Sequence, residues 1–503
     1  MKLSSSRKIF TAGLSTLGMI LAVFSTTVTT GILTGCQQGD KEKTSGTASV
    51  KESGEILLWV MPNTPKPEKD MEALLEPFKA AHPEVKVKVS VLDWGSAWTK
   101  LTTAAIAGDG PDVVQLGTTW CPFLTDLGAL LPLDDLDKDL DVKNAFMPAT
   151  YQAAKPRLSA HLTSLPWFID VRPMFYRTDV FAQAGVDAKK MLTWDDYMSA
   201  LQKIKAAGIK HDGEPISPIG FPGKNDWNVV HNFAPWIWGA GGDFLNAKGD
   251  KCTLDSPESM KGILFYLDLV RKGYNPKTNM EKNTAQVSAD FDAGRVASFF
   301  ESTIKNTYLT RPPEQGGSGG THVAENYDVL VPPAGPKGRA LFMGGSHLAV
   351  FKSSRSPEAA KLLLRYLCAD SAAQLAHAQI SGFLPSLKVV FNSPYFTRDP
   401  KRMVFKDIVR YGKIYPSVPY WGEIETSVLM KRLGNLFDIA AEANGPYTEE
   451  AVRAEVTAAV RDIDAQIQAH FANHPEQREL LDKPLADSEK PLAESPKPLA
   501  ASE

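Results

Sequence analysis

ILLWVMPNTPKPEKDMEALLEPFKAAHPEVKVKVSV, residues 56–91, carries a strand signal, a helix signal and a second strand signal in succession. Residues 56–60 form a short apolar run typical of a buried strand, and residues 85–91 place valine at every second position, the period of a strand. Between them, helical spacing predicts one buried face, made of Met71, Leu74, Leu75 and Phe78. Because proline removes a helix hydrogen bond, Pro77 predicts a kink or an end to this helix.

The same alternation continues along the chain. A second helix is predicted over about residues 96–108, and GDGP at residues 108–111 leads into an apolar strand over 112–116. Strands that alternate with helices favour an α/β fold with a mostly parallel sheet. The length of 503 residues favours two or three domains. A hydrophobic content of 43% with 22% charged residues indicates a globular chain, neither disordered nor built of many membrane spans.

Four later helix starts are predicted from capping residues. Thr193 precedes Trp-Asp-Asp in the pattern of a capping box, and Ser256 and Ser356 each precede Pro-Glu, so that proline takes the first helical position. A final long helix is predicted after Thr448.

Charge and cysteine content restrict the partners and the chemistry. The net charge is −3, which argues against a nucleic-acid partner. The four cysteines are far apart in sequence and form no Cys-x-x-Cys pair, so we predict no metal site and no cofactor. Three of them, Cys121, Cys252 and Cys368, are expected to be buried small hydrophobes, with at most one pair forming a disulfide.

The first residues have the pattern of a secretion signal. Three basic residues precede an uncharged stretch from residue 9 to 32, which ends in Leu-Thr-Gly-Cys at residues 33–36. This tetrapeptide resembles a bacterial lipobox, so residues 1–35 are predicted to be a lipoprotein signal peptide and Cys36 the lipidated residue. The alternative is an uncleaved anchor helix. Either one places the rest of the chain outside the cytoplasm, in the periplasm or at the cell surface.

Two polar segments flank the folded part. Residues 36–54 are rich in Lys, Glu, Ser, Thr and Gly, which predicts a flexible tether. Residues 471–503 contain KPLA three times, at 483–486, 490–493 and 497–500. The proline in each copy argues against a coiled coil, so we predict a disordered tail without an assigned role.

Several motifs, taken in order, resemble a known family. They are HPEVKVKVSVL at 82–92, AGDGPDV at 107–113, LPW at 165–167, YRTD at 176–179, TWD at 193–195, MGGS at 343–346, SPEAA at 356–360 and GFLPS at 382–386. Together they cover about residues 55–471, and the chain resembles a lipid-anchored extracellular solute-binding protein of a bacterial ABC importer, in the sugar-binding group similar to maltose-binding protein.

The resemblance implies two α/β lobes of the type II periplasmic-binding-protein fold, with the ligand cleft between them and several hinge crossings. The first lobe would contain residues 55–168 and 330–375, and the second residues 170–325 and 385–470. It also implies a carbohydrate ligand, an ABC permease as partner, a monomeric state and no catalysis.

A sugar binder needs aromatic faces for the C–H surfaces of a ring and fixed polar groups for its hydroxyls. Trp94 follows the alternating strand, and Thr118, Thr119 and Trp120 follow the strand over 112–116, where strand ends form clefts. The resemblance implies ligand contacts from this second loop. These four residues are therefore candidate binding residues.

The segment after Trp167 supplies further candidates. Asp170 and Arg172 alternate in an extended segment, so both side chains point to one side and could bind one sugar edge. The resemblance places a binding carboxylate at Asp170, and Trp167 is included as an adjacent aromatic. The alternative is an ion pair between Asp170 and Arg172 that only stabilises the crossing.

The remaining candidates lie in polar or glycine-rich contexts, whereas Trp236 and Trp238 are interpreted as helix core. They are Trp227, Asn228, Glu301, Gly345, Ser346, His347 and Trp421. Glu301-Ser302-Thr303 replaces a Gly-Pro-Trp element often seen in relatives, so the stacking partner from that loop is in question. For Trp421, a packing role is an equal alternative.

Two other functions remain open on the sequence. Carboxylates with tryptophans also occur in glycoside hydrolases, and Asp170 with Glu301 would be the pair of carboxyls. A binder of a non-sugar solute, such as a polyamine or a glycerophosphodiester, is a further alternative, although the candidates carry few of the acidic or basic groups that such ligands need.

Overall fold

The computed structural model of the chain describes residues 54–224 and 226–481. The strands, in chain order, are β1 Gly54–Val60, β2 Val85–Val91, β3 Val113–Gly117, β4 Leu165–Val171, β5 Met174–Arg177, β6 Lys210–His211, β7 Glu214–Pro215, β8 Ser298–Phe300, β9 Tyr327–Leu330, β10 Leu341–Val350, β11 Leu384–Pro385 and β12 Gly412–Lys413.

The largest sheet has the strand order β11-β4-β10-β3-β1-β2, with β12 paired to the start of β10. β1 pairs in parallel with β2 and β3, and β10 runs antiparallel between β3 and β4. The strands predicted over 56–60, 85–91 and 112–116 are confirmed as β1, β2 and β3. This sheet brings the carboxyl ends of β3 and β4 to either side of β10, where several candidate residues lie.

A second sheet has the order β8-β5-β9, with both pairs antiparallel. Only Arg172 and Pro173 separate β4 in the large sheet from β5 in this one. The chain returns to the large sheet between β9 and β10. Arg172 therefore lies where the backbone passes from one sheet to the other.

The α-helices surround these sheets. They are α1 Pro67–Ala81, α2 Trp94–Ala107, α3 Cys121–Asp126, α4 Asp134–Leu140, α5 Val142–Ala145, α6 Pro148–Ala154, α7 Thr178–Gln183, α8 Trp194–Ala207, α9 Val229–Gly239, α10 Pro257–Arg271, α11 Thr284–Asp292, α12 Ile304–Thr310, α13 His322–Glu325, α14 Pro357–Leu364, α15 Ser371–Ser381, α16 Pro394–Thr397, α17 Pro400–Ile408, α18 Trp421–Glu423, α19 Met430–Ala441, α20 Glu449–Asn473 and α21 Pro475–Leu481. Two π-helical stretches, Arg365–Ala369 and Ile424–Leu429, continue α14 and α18.

Most of the predicted helix starts are confirmed. Thr193 forms a capping box with Asp196, and the side chains of Ser256 and Thr448 each accept a backbone N–H of the first helical turn. Ser356 does precede α14, but its side chain makes no capping bond.

The prediction that α1 might end at Pro77 is wrong. The helix continues through Pro77 to Ala81, and Phe78, one residue later, is buried. Burial of the apolar face, which includes Leu74 and Leu75, keeps the segment helical although proline lacks the amide hydrogen.

Buried side chains form one cluster around the large sheet, a second around α9, α10, α19 and α20, and a third between α2, α3 and β3. The predicted lobe boundaries stay a prediction.

The prediction that a disordered tail begins at residue 471 is wrong. α20 extends to Asn473, α21 follows, and Phe471 and Leu481 are buried in the second cluster. Phe471 and Leu481 still supply buried apolar contacts there, and the composition turns to KPLA only later. The signal peptide, Cys36, the tether and the KPLA copies lie outside the described residues. Among the helices in the described ranges, none combines the length and apolar character of a membrane span.

The three cysteines of the described chain are confirmed as buried, unpaired thiols. Burial raises the pKa of the Cys121 and Cys252 thiols to about 12. Each therefore acts as a small hydrophobe.

Candidate functional site

Tryptophan side chains from separate parts of the chain meet beside the carboxyl end of β3. Trp94 opens α2 and Trp120 precedes α3, and their rings lie 5.5 Å apart in an edge contact. Trp227, just before α9, stacks on Trp94 with ring centroids 5.6 Å apart and planes at 14°. Trp227 is 41% exposed, so a large apolar face remains open to solvent. Trp98 extends this group through Trp120, with ring centroids 5.6 Å apart.

Arg172 lies beside this group and is held by two amide side chains. Its guanidinium donates to the side-chain oxygens of Asn228 and Asn232, the second at 2.8 Å. The two asparagines are one helical turn apart at the start of α9, and thus form a fixed pair of acceptors. The start of α9 therefore orients the guanidinium of Arg172, which lies in the link between β4 and β5.

Two buried carboxyl groups face the same guanidinium. Asp170 lies 3.9 Å from Arg172, which is too long for a hydrogen bond, and its Oδ1 has no hydrogen-bond partner among the described residues. Burial raises the pKa of both Asp170 and Glu301, and the positive charge of Arg172 opposes this rise. Because the Asp170–Arg172 distance is long, a closed internal ion pair is the weaker of the two interpretations of these residues.

A second polar group lies next to Arg172 and is centred on His231 of α9. His231 Nδ1 is 3.0 Å from the Tyr415 hydroxyl and 3.5 Å from the Glu425 carboxylate, and its ring stacks on Phe342 at 3.8 Å. Burial raises the pKa of Glu425 to about 8 and holds the pKa of His231 well below its usual value. Trp421 stacks on Tyr415 at 4.4 Å, so this polar group has an aromatic wall.

Other candidates are placed around the end of β10. The backbone N–H of Thr118 donates to the carbonyl of Gly345, at 3.2 Å. Thr118, Thr119 and Trp421 line one small cavity of about 10 Å³ together with Tyr415. The structure thus brings the predicted loop after β3 next to Trp421.

Three candidates lie deeper and are not brought to the open tryptophan face. Trp167 is fully buried, with its ring 4.6 Å from that of His377. Ser346 accepts a hydrogen bond from Gln115, at 2.8 Å, and His347 pairs with Ser164 at 3.0 Å. Burial lowers the pKa of His347 to about 3, so the ring is neutral. These positions fit packing roles better than ligand contact.

A cavity of about 40 Å³ lies beside Arg172 and is lined by His231, Asn232 and Phe342, among others. One water molecule needs about 10 to 15 Å³ of such volume, so this cavity accepts a few waters but no sugar ring. The rings of Trp94 and Trp227 are stacked with centroids 5.6 Å apart, so a sugar that binds between them requires them to separate.

The family profile of the bacterial extracellular solute-binding proteins matches residues 62–374 of the chain. The chain belongs to this family. Among curated relatives, the diacetylchitobiose binding protein DasA of Streptomyces coelicolor is 26% identical over 391 residues, covering 74% of this chain and 82% of the relative. A putative binding protein of Brucella abortus is 25% identical over 380 residues, covering 75% and 87%.

Solved structures show a similar fold. The GacH receptor of Streptomyces glaucescens superimposes with a TM-score of 0.68 at 21% identity, over 82% of this chain and 98% of that one. The sugar-binding protein MalE of Xanthomonas citri gives 0.66 at 24% identity, over 83% and 99%. The predicted two-lobe, type II fold of this solute-binding protein is thereby confirmed.

Several residues of the candidate site were not chosen from the sequence. Asn232 had a usable signal, because it lies four residues after Asn228 on a predicted helix. Tyr415, Glu425 and Phe342 had none, since nothing in the sequence around each of them refers to His231. They are recognised only when β10, the segment after β12 and the π-helical stretch Ile424–Leu429 meet α9 at His231.

Proposed function

We propose that this solute-binding protein takes up a sugar or oligosaccharide between its lobes and delivers it to the permease of an ABC importer, without chemical change to the ligand. The observation that carries the proposal is the stacked pair Trp94–Trp227, with its exposed face, beside the buried polar groups at Arg172 and His231. Aromatic faces next to fixed hydrogen-bonding groups match the two surfaces of a sugar ring.

The charges near Arg172 favour a neutral ligand. One guanidinium is faced by the carboxyls of Asp170 and Glu301, and its N–H groups are already directed at Asn228 and Asn232. An anionic ligand would meet the two carboxyls, whereas sugar hydroxyls can donate to them. The unpartnered Oδ1 of Asp170 is the acceptor we expect a hydroxyl to satisfy.

The names of the relatives agree with this class. DasA is described as binding diacetylchitobiose, and GacH was crystallised in complex with acarbose. A relative of lower coverage, the sn-glycerol-3-phosphate-binding protein UgpB of Shigella flexneri, is 23% identical over 217 residues. Its name makes a phosphorylated polyol the alternative class of ligand. Glycerol 3-phosphate is therefore the comparison ligand for the sugars.

The proposed binding residues are those around the open tryptophan face. They are Trp94, Thr118, Thr119, Trp120, Asp170, Arg172, Trp227, Asn228, Glu301 and Trp421. We further propose that Cys36 carries a lipid after removal of residues 1–35, so that the protein is held at the outer side of a bacterial membrane.

Calorimetric titration of the purified chain tests the proposal with diacetylchitobiose, maltose, longer oligomers of both and glycerol 3-phosphate. We expect saturable binding of a saccharide, and about two- to tenfold weaker binding for Trp227→Ala, since aromatic stacking contributes about 0.5 to 1.5 kcal/mol. Leu192→Ala removes another exposed apolar side chain elsewhere and should bind like the parent chain.

Three results would contradict the proposal. Absence of heat with every saccharide, or preference for glycerol 3-phosphate, would exclude a sugar as ligand. Release of shortened sugars during incubation, abolished by Asp170→Asn, would show a glycoside hydrolase instead.

A further inference from the structure

A cluster of metal-ligating side chains lies away from the tryptophan face, where the end of α20 meets α3. His470 lies in the last turn of α20, His474 directly follows that helix, and Asp126 is the last residue of α3. One nitrogen from each imidazole and one carboxylate oxygen all lie within 4.8 Å of one another. The two imidazole rings stack with centroids 4.8 Å apart, so the end of α20 presents both of them to Asp126.

Neighbouring side chains already hold the three groups in position. The side-chain amide of the buried Gln477 contacts two of the three groups. Its Oε1 lies 2.9 Å from His470 Nε2, and its Nε2 donates to Asp126 Oδ1. The Glu476 carboxylate lies 3.7 Å from His474 Nδ1 and adds negative charge beside that ring. The cluster is therefore organised by its own hydrogen bonds.

We propose that Asp126, His470 and His474 bind one Zn²⁺ ion, with the Gln477 oxygen or a water molecule as fourth ligand. Two imidazoles and one carboxylate are a donor set that zinc accepts in tetrahedral geometry, with bonds of about 2.0 to 2.2 Å. Calcium and magnesium prefer sites made of oxygen alone, so the two imidazoles favour zinc. The prediction of no metal site overlooked the His-x-x-x-His spacing in HFANH at residues 470–474.

The ion would join two parts of the buried core. α3 contributes Cys121 and Leu124 to the cluster of α2 and β3, whereas α20 contributes Ile467 and Phe471 to the cluster around α9 and α10. Ligands from both helices bound to one ion would hold these two clusters together. Zinc is thus expected to stabilise the arrangement in which α3 contacts α20.

The test is calorimetric titration of the purified chain, prepared without a histidine tag, with zinc chloride. We expect one ion per chain, and binding weakened by more than about tenfold in His474→Ala and in Asp126→Asn. His161→Ala is the matched control, because His161 forms a similar pair with Asp134, at 2.6 Å, on another part of the surface. This control should bind zinc like the parent chain.

Cobalt supplies a second measurement that distinguishes the proposed site from loose surface binding. Co²⁺ in the parent chain should give the visible absorption of a tetrahedral ion, and this absorption should be lost in both variants. The proposal is overturned if the parent chain binds no zinc, or if His161→Ala weakens binding as much as His474→Ala does. Both variants should keep the parent far-ultraviolet circular dichroism, which shows that the loss is not unfolding, and sugar binding is measured separately on the same preparations.

Discussion

Arg172 illustrates how single residues determine what this cleft can bind. Its guanidinium is fixed by Asn228 and Asn232, which leaves the nearby carboxyl of Asp170 with an unpartnered oxygen. A buried acceptor without a donor costs about 1 to 3 kcal/mol, and a ligand that supplies the donor recovers that cost. We therefore expect Asp170 to contribute to affinity more than to the stability of the ligand-free chain.

Glu425 makes the stability of the chain depend on pH. Burial raises the pKa of its carboxyl from 4.5 to about 8. Between these two values the unfolded chain loses this proton while the folded chain keeps it, so the folded state becomes less stable as the pH rises from about 5 to 8. Glu425→Gln removes this dependence. Urea unfolding should show the variant gaining at least about 1 kcal/mol relative to the parent chain between pH 5 and pH 8.

Two comparisons make this prediction specific. Glu423→Gln changes an exposed carboxyl two residues away and should keep the pH dependence of the parent chain. His231 acts in the opposite direction, because burial lowers its pKa and costs stability only as the pH falls below the usual value near 6.5. A Glu425→Gln variant whose stability difference is constant from pH 5 to pH 8 would contradict the assigned burial.

At the scale of elements, α21 is a short helix whose contribution to the free energy of unfolding can be measured. Leu481 is buried in the cluster around α20, and its carbonyl oxygen accepts a hydrogen bond from Arg157, at 3.1 Å. A chain that ends at residue 474 loses both contacts, and we expect its free energy of unfolding to fall by about 2 to 3 kcal/mol. A chain that ends at residue 481 keeps them and is the control. Equal urea midpoints for the two truncations would contradict this role of α21.

Elements with local signals were predictable from the sequence, and elements decided by packing were not. The capping box at Thr193 and the alternating valines of β2 depend on neighbours in the chain, so a sequence pattern suffices to find them. The course of α1 through Pro77 and the order of residues 471–481 depend on distant apolar partners. Local breaker and composition signals therefore gave the wrong boundary at both places.

At the scale of the whole molecule, one part of the candidate site has local sequence signals and the other part is decided by packing. Trp94 and Trp120 follow strand ends, and Asp170 lies near the carboxyl end of β4, which is where clefts form in α/β folds. His231, Tyr415 and Glu425 converge from segments about 180 residues apart, and no pattern in one segment refers to the others. Their meeting depends on how β10, β12 and α9 pack, which a single sequence does not encode locally.

The small cavity predicts a movement of the whole molecule. Trp94 and Trp227 stack with ring centroids 5.6 Å apart, and the cavity of about 40 Å³ beside Arg172 holds only a few waters, so we expect the lobes to separate before a saccharide enters. Small-angle X-ray scattering of the sugar-free chain should give a larger radius of gyration than the described arrangement, and saturating sugar should reduce it. Trp227→Ala lowers the attraction across the cleft and should shift the sugar-free chain further toward the larger radius. A radius that is the same with and without bound sugar, in both the parent chain and this variant, would show that ligand enters without separation of the lobes.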